Sequence, residues 1–147
     1  MKRKFFSFWA LICAFVSLAA TAPKDAPYRI EVKMTDIKDT SKVFLAFYYN
    51  GKTYSKDTAQ FNGKGVAVFD GSKRKEKEKQ RLEEGMYIVY FKQDKFFDLL
   101  VGKDQNIKLK ADTTDLTPVV TQGEESVYFS KLVKFMSDKN KERKDFV

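Results

Sequence analysis

Between Tyr28 and Ala111 apolar residues recur at every second position, in short runs that Asn, Asp or Gly cuts off. Alternation at period two sends successive side chains to opposite faces, so this pattern commits the chain to strands and rules out a mainly helical fold. "YRIEVKMT" is the cleanest case: Tyr28, Ile30, Val32 and Met34 share one face and Arg29, Glu31 and Lys33 the other. It reads as a strand packed on one side and wet on the other. "SKVFLAFYY" is apolar on both faces and reads as a central strand.

The punctuation is equally specific. Asn50-Gly51 after that central strand is a type I′ hairpin signal, because both central residues of that turn need positive φ. It leads into "KTYSKDTAQF", polar enough for a sheet edge. "NGKG" turns the chain into "VAVFDG"; later come "GMYIVYFK", a turn at Gln93-Asp94, "FFDLLVG" and "NIKLKAD". About seven short strands at regular spacing predict a mainly β fold, an antiparallel sandwich or barrel, of which the β-sandwich is the reading adopted.

The period changes near the C-terminus. "EESVYFSKLVKFM" places Tyr128, Leu132, Phe135 and Met136 on one helical stripe, widened by Phe129 and Val133. Glu124 and Glu125 fall in the first turn, where the helix dipole favours negative charge. An amphipathic helix over about 124–138 is expected to lay this stripe on the sheet, with 137–147 as a polar tail.

Residues 1–22 have the layout of a secretory signal peptide: a basic "MKRK", then the uncharged Phe5–Ala22, ending in small residues. Cleavage after Ala19 or Ala22 satisfies the small-residue rule, and Pro23 disfavours the second. An uncleaved anchor is the competing reading, since 18 residues is the lower edge of a membrane span. Cys13 lies too early, behind a bulky Ile12, to be a lipidation site. Export would remove Lys2, Arg3 and Lys4 with no acid, taking the formal charge from +8 to +5. It would also remove the single Cys, leaving a domain at 23–136 that must fold on its core alone, with no disulfide and no stable membrane span.

The run "SKRKEKEKQRLEE" at 72–84 looks like a nucleic-acid hook, but its six bases are opposed by four acids. A surface that tracks phosphates wants unopposed cations and stacking aromatics, and this run has neither. Glu76 with Lys79, and Glu78 with Arg81, are spaced to pair locally. The run reads as a solvated connection between strands.

Reactive chemistry is scarce. The chain has no His, and beyond residue 22 no Cys, which excludes His-based triads, Cys–His pairs, and thiolate or imidazole zinc. No cofactor or metal ligand set is expected. Asp57, Asp98, Asp112 and Asp115 are the remaining acid/base candidates, most of them beside turn signals where Asp accepts backbone N–H bonds. Asp98, between Phe97 and Leu99, reads as an outward residue on an edge strand. The tyrosines Tyr48, Tyr49, Tyr54, Tyr87 and Tyr90 could line a ligand cleft or could simply pack.

Taken in order, "YRIEVKMTDIKDT", "VFLAFYYNGKTYSKDTA", "GKGVAVFDG", "LEEGMYIVYF", "FFDLLVGKDQNIKLKADTTDL" and "GEESVYFSKLVKFM" resemble one family from Tyr28 to about Met136. It is the β-rich N-terminal domain of uncharacterised function that precedes a thioredoxin-like domain in exported thiol–disulfide proteins of the Bacteroidetes. Two departures stand out: the connection carrying "SKRKEKEKQ" is long for the family, and the sequence stops where the family would run on to a CxxC-bearing domain, as a stand-alone or a truncated copy would. The resemblance implies a non-catalytic recognition or positioning domain of the periplasm or cell envelope, with an envelope or redox protein as partner. A small-ligand binder of sugars or lipids, with Tyr48, Tyr54, Tyr87 and Tyr90 in its cleft, is the alternative; a hydrolase using carboxylates alone comes third.

Overall fold

A computed structural model describes residues 26–92 and 95–144. The leader expected at 1–22 and the turn expected at Gln93-Asp94 lie outside the described residues. Eight strands and one helix follow in order: β1 (Arg29–Met34), β2 (Lys42–Tyr49), β3 (Lys52–Gln60), β4 (Val66–Asp70), β5 (Gly85–Lys92), β6 (Lys95–Val101), β7 (Asn106–Ala111), β8 (Val119–Gln122) and α1 (Glu124–Lys144). They form two four-stranded sheets, β4-β1-β7-β8 and β3-β2-β5-β6, so the protein is mainly β with a C-terminal helix.

Alternation explains the layering. The inward residues of β1, Ile30, Val32 and Met34, meet Val43 and Leu45 of β2, Val89 of β5 and Leu99 of β6 in one closed apolar core. Most of these side chains are fully buried, each contributing about 1.5–3 kcal/mol of transfer free energy. Every described strand, the described helix and the described core cluster fall within 26–144.

The expected features stand where the residues put them. Asn50 and Gly51 take φ of 47° and 72° in the β2–β3 hairpin. β2 is an inner strand of its sheet and β3 an edge.

Four features differ from the sequence reading. An eighth strand, Val119–Gln122, pairs antiparallel with β7; four residues behind a proline are too short for their alternation to register. β1 and β7 pair in parallel, the one parallel ladder among antiparallel ones. The helix runs on to Lys144, through most of the stretch expected to be a polar tail. Ion pairs at helical spacing, Lys134–Asp138 (3.0 Å) and Lys139–Glu142 (2.8 Å), support that extension, and Lys141, Arg143 and Lys144 complement the dipole in the last turn.

The helix also seats itself differently. Its buried residues are Ser126 and Ser130. The Ser126 hydroxyl donates to the Leu100 carbonyl of β6 (2.6 Å). The Ser130 hydroxyl donates to the Pro118 carbonyl (2.5 Å) and accepts from the Val120 N–H of β8 (3.2 Å). Small hydroxyl side chains let the helix lie close along the β6 and β8 edges and cap backbone groups that those edges leave open. The centre of the stripe expected to face the sheet points away from it: Tyr128, Leu132, Phe135 and Met136 are 66%, 55%, 57% and 54% exposed, while Phe129 and Val133, which widen it, are half-buried.

Gly65 fixes the entry to β4. Its φ of +75° is left-handed, and an added Cβ would run into the Met34 and Ile37 carbonyl oxygens. Gly51 has similar φ but open space around it. Gly51→Ala is therefore expected to cost about 1–2 kcal/mol, the backbone penalty alone. Gly65→Ala should exceed about 4 kcal/mol, because the clash is with backbone. Urea unfolding of the two variants measures the difference.

Candidate functional site: an aromatic sheet face and a half-buried ion pair

The outer face of the β3-β2-β5-β6 sheet has no layer over it among the described residues, yet it is apolar. Register builds it in rows: Phe44 beside Tyr90 beside Phe96, then Ala46 beside Ile88 beside Asp98, then Met86 beside Leu100. Phe44 and Tyr90 stack with ring centroids 4.8 Å apart. Ala46 and Ile88, at 0% and 4% exposure, lie outside the central core and are covered by their larger neighbours on this face. Tyr48, Met86 and Phe96 stand exposed around them. The flanking strand β3 sets Thr58, Ser55 and Thr53 beside Phe44, Ala46 and Tyr48, which makes a polar rim. Asp98 is the single charge in these paired rows, outward on an edge strand as its sequence position suggests.

The tyrosines do not share one cleft. Tyr48 and Tyr90 belong to this outer face. Tyr54 stacks on Phe47 (5.7 Å) and meets Tyr49 edge-on (6.4 Å), while Tyr87 meets the other side of Phe47 (6.3 Å). That second group is on the core side of the same sheet, where Phe47 packs against the buried cluster. The signal was available in the numbering: Tyr87 and Tyr90 are an odd number of residues apart, as are Tyr48 and Tyr49, and odd separations in a strand mean opposite faces. Tyr87 is buried, donates to the Glu83 carbonyl (3.0 Å), and burial raises its pKa.

A polar centre sits where β3 faces β4. A bulge in β3 places Asp57 beside Leu45 and Ser55 beside Ala46, with Lys56 as the extra residue. The Asp57 carboxylate accepts from the Tyr28 hydroxyl (2.7 Å), from the Arg74 guanidinium (2.7 Å) and from the Thr58 N–H (2.8 Å). Arg74 also donates to the carbonyl that the bulge frees at Lys56 (3.0 Å). Sequence spacing could not reveal this group, since Tyr28 and Arg74 lie 29 and 17 residues from Asp57. Above it opens a cleft of about 610 Å³, lined by Asp57, Gln60, Asp70, Lys73 and Arg74 among others.

The charged run is therefore more than a solvated loop. It forms two short 3-10 turns, Gly71–Lys73 and Lys77–Lys79, and Glu76 pairs with Lys79 as spaced. Arg81, instead of forming only a local pair, donates to the carbonyls of Ala26 (2.8 Å) and Lys103 (2.9 Å). Gln105 clamps the backbone of buried Leu82 in both directions.

Asp112 and Asp115 hold turns. Asp112 accepts from the N–H groups of Thr114 and Asp115, and Asp115 from Thr117. These bonds hold both carboxyls below their usual range, as Ser72 does for Asp70. A general acid near neutral pH needs a shift the other way. Among the described residues no three His, Cys, Asp or Glu side chains gather as metal ligands would. No family model matches the chain, and no curated protein matches it.

Burial, then the Asp57 hydrogen bond, pushes the Tyr28 phenol up to about 12 against the opposing Arg74 charge. A group with a raised folded pKa contributes stability that is present below its unfolded value and lost as pH rises through the folded one. Stability from this site should hold to about pH 10 and decline by about 2–3 kcal/mol towards pH 12. Tyr28→Phe should cost about 1 kcal/mol at pH 8 and less at pH 11. Urea titrations of both proteins at the two pH values measure this, with phenolate absorbance following the titration itself.

Proposed function

We propose that the protein is a non-catalytic recognition module of the cell envelope, and that the outer face of the β3-β2-β5-β6 sheet receives a protein partner. The observation that carries this reading is the uncovered aromatic and aliphatic surface of Phe44, Ala46, Tyr48, Met86, Ile88, Tyr90 and Phe96 with its hydroxyl rim. Aromatic residues and Met at the centre, charge depleted there and polar groups around the edge are the composition of a protein–protein interface. Contiguous apolar surface is costly to leave in water, so a sheet that keeps it has a use for it.

Charge supports a protein occupant over a polyanion. The chain carries +8 overall, yet these rows hold only Asp98. The leader-like N-terminus supports export, and the lack of His, with no Cys beyond residue 22, supports a role by contact. The resemblance to the domain that precedes thioredoxin-like domains makes an envelope thiol–disulfide protein the first partner expected. The split of the tyrosines across two faces counts against the four-tyrosine cleft of the small-ligand alternative.

A photo-crosslinking residue at Phe96 should yield one discrete adduct with an envelope protein, competed by unlabelled chain; the same group at Lys108, outward on the opposite sheet, should yield none. Tyr48→Ala with Phe96→Ala, both exposed and so tolerated by the fold, should weaken binding of the identified partner at least about tenfold. Adducts at both positions alike, or none at either, would refute the reading.

A further inference from the structure

The C-terminal helix has two faces, and the fold uses only one. Ser126 and Ser130 hold α1 against β6 and β8, while Tyr128, Leu132, Phe135 and Met136, at spacings i, i+4, i+7 and i+8, point to the opposite side. Between Lys131 and Lys144 stand six cations, Lys131, Lys134, Lys139, Lys141, Arg143 and Lys144. The acids of that segment, Asp138 and Glu142, are each paired with a lysine of the same helix. Lys131 and Lys139 lie over the Tyr128 and Phe135 rings, at 5.8 Å and 5.9 Å from the centroids, so positive charge borders the apolar stripe itself.

We propose that α1 is a membrane-docking helix: its outward stripe lies in the interfacial region of an anionic lipid surface, with the flanking lysines on the headgroups. An apolar stripe flanked by basic side chains, on a helix that does not span, is the composition of an interfacial helix. No described helix is long and apolar enough to cross a membrane, so the contact is peripheral. Charge selects this occupant over a second copy of the chain, whose stripe would bring the same excess of cations. The long lysine stems let ammonium groups reach the headgroups while Leu132 and Phe135 enter the acyl boundary. Seating by serine hydrogen bonds leaves the outward face free to bind without disturbing the sandwich.

The test uses residues 23–147, the chain left by the proposed export, which carry every described strand and the helix, in co-sedimentation with vesicles once circular dichroism shows them folded. The chain should bind vesicles containing phosphatidylglycerol and be left in solution by phosphatidylcholine alone, and added salt should weaken the binding. Lys131→Gln and Arg143→Gln should each lower affinity for the anionic vesicles about fivefold. Leu132→Gln with Phe135→Gln should lower it at least about tenfold, with circular dichroism unchanged because both side chains are exposed. Equal binding to both vesicle types, binding to neither, or indifference to the stripe variants would overturn the proposal. Sedimentation as a dimer that Phe135→Gln dissociates would also overturn it, by assigning the stripe to a second copy.

Discussion

Two sheets can share a core only if the gaps along their sides are closed, and here each side carries a polar clasp beside its apolar packing. On one side β3 faces β4, and Asp57 binds Tyr28 and Arg74 across the gap. On the other β6 faces β8, and Ser126 and Ser130 bind a helix over the pair. Backbone groups at sheet edges have no ladder partner, so whatever closes the gap must supply donors and acceptors. Arg74 does so for Lys56, and Ser130 does so for Pro118 and Val120. The chain has a single Cys, at 13, so no disulfide shares the task.

These closures decide which apolar residues remain outside. Had the helix packed through Leu132 and Phe135, its outward face would have been serine and lysine. Seating by serine reverses this, and the stripe becomes surface. The same logic applies to β2, whose two apolar faces suit a strand covered on both sides, although only one side is covered among the described residues. Both exposed surfaces follow from polar groups holding the architecture, which leaves the large apolar side chains free for contact.

Alternation made the strands and the first hairpin legible, because period two and Asn-Gly are local signals. β8 escaped because four residues behind Pro118 carry too little pattern. The helix was legible as a helix, but its orientation was not: an apolar stripe looks the same from sequence whether it packs inward or waits outward, and buried serines look like surface. Asp57 was visible only as an acid, since its partners arrive from Tyr28 and from inside the charged run. That run looked solvated because six cations with four acids normally are, yet Arg74 and Arg81 each reach carbonyls far along the chain. Charge counting cannot distinguish a guanidinium in water from one that ties down a loop.

The two outward surfaces meet along β6. Leu100 contributes its side chain to the outer sheet rows and its carbonyl to the seat of the helix, so the strand that carries Phe96 also fixes where α1 lies. Their charges are unlike: Asp98 is the one charge in the three rows at the centre of the sheet face, against six cations from Lys131 onward in the helix. A weakly charged aromatic face and a cationic apolar stripe favour different partners, because desolvating charge is costly in the first case and anionic attraction offsets it in the second. Held on one strand, the two can engage separate partners at a fixed relative orientation. A rigid β framework supplies that geometry, as the proposed role of positioning one envelope component against another requires.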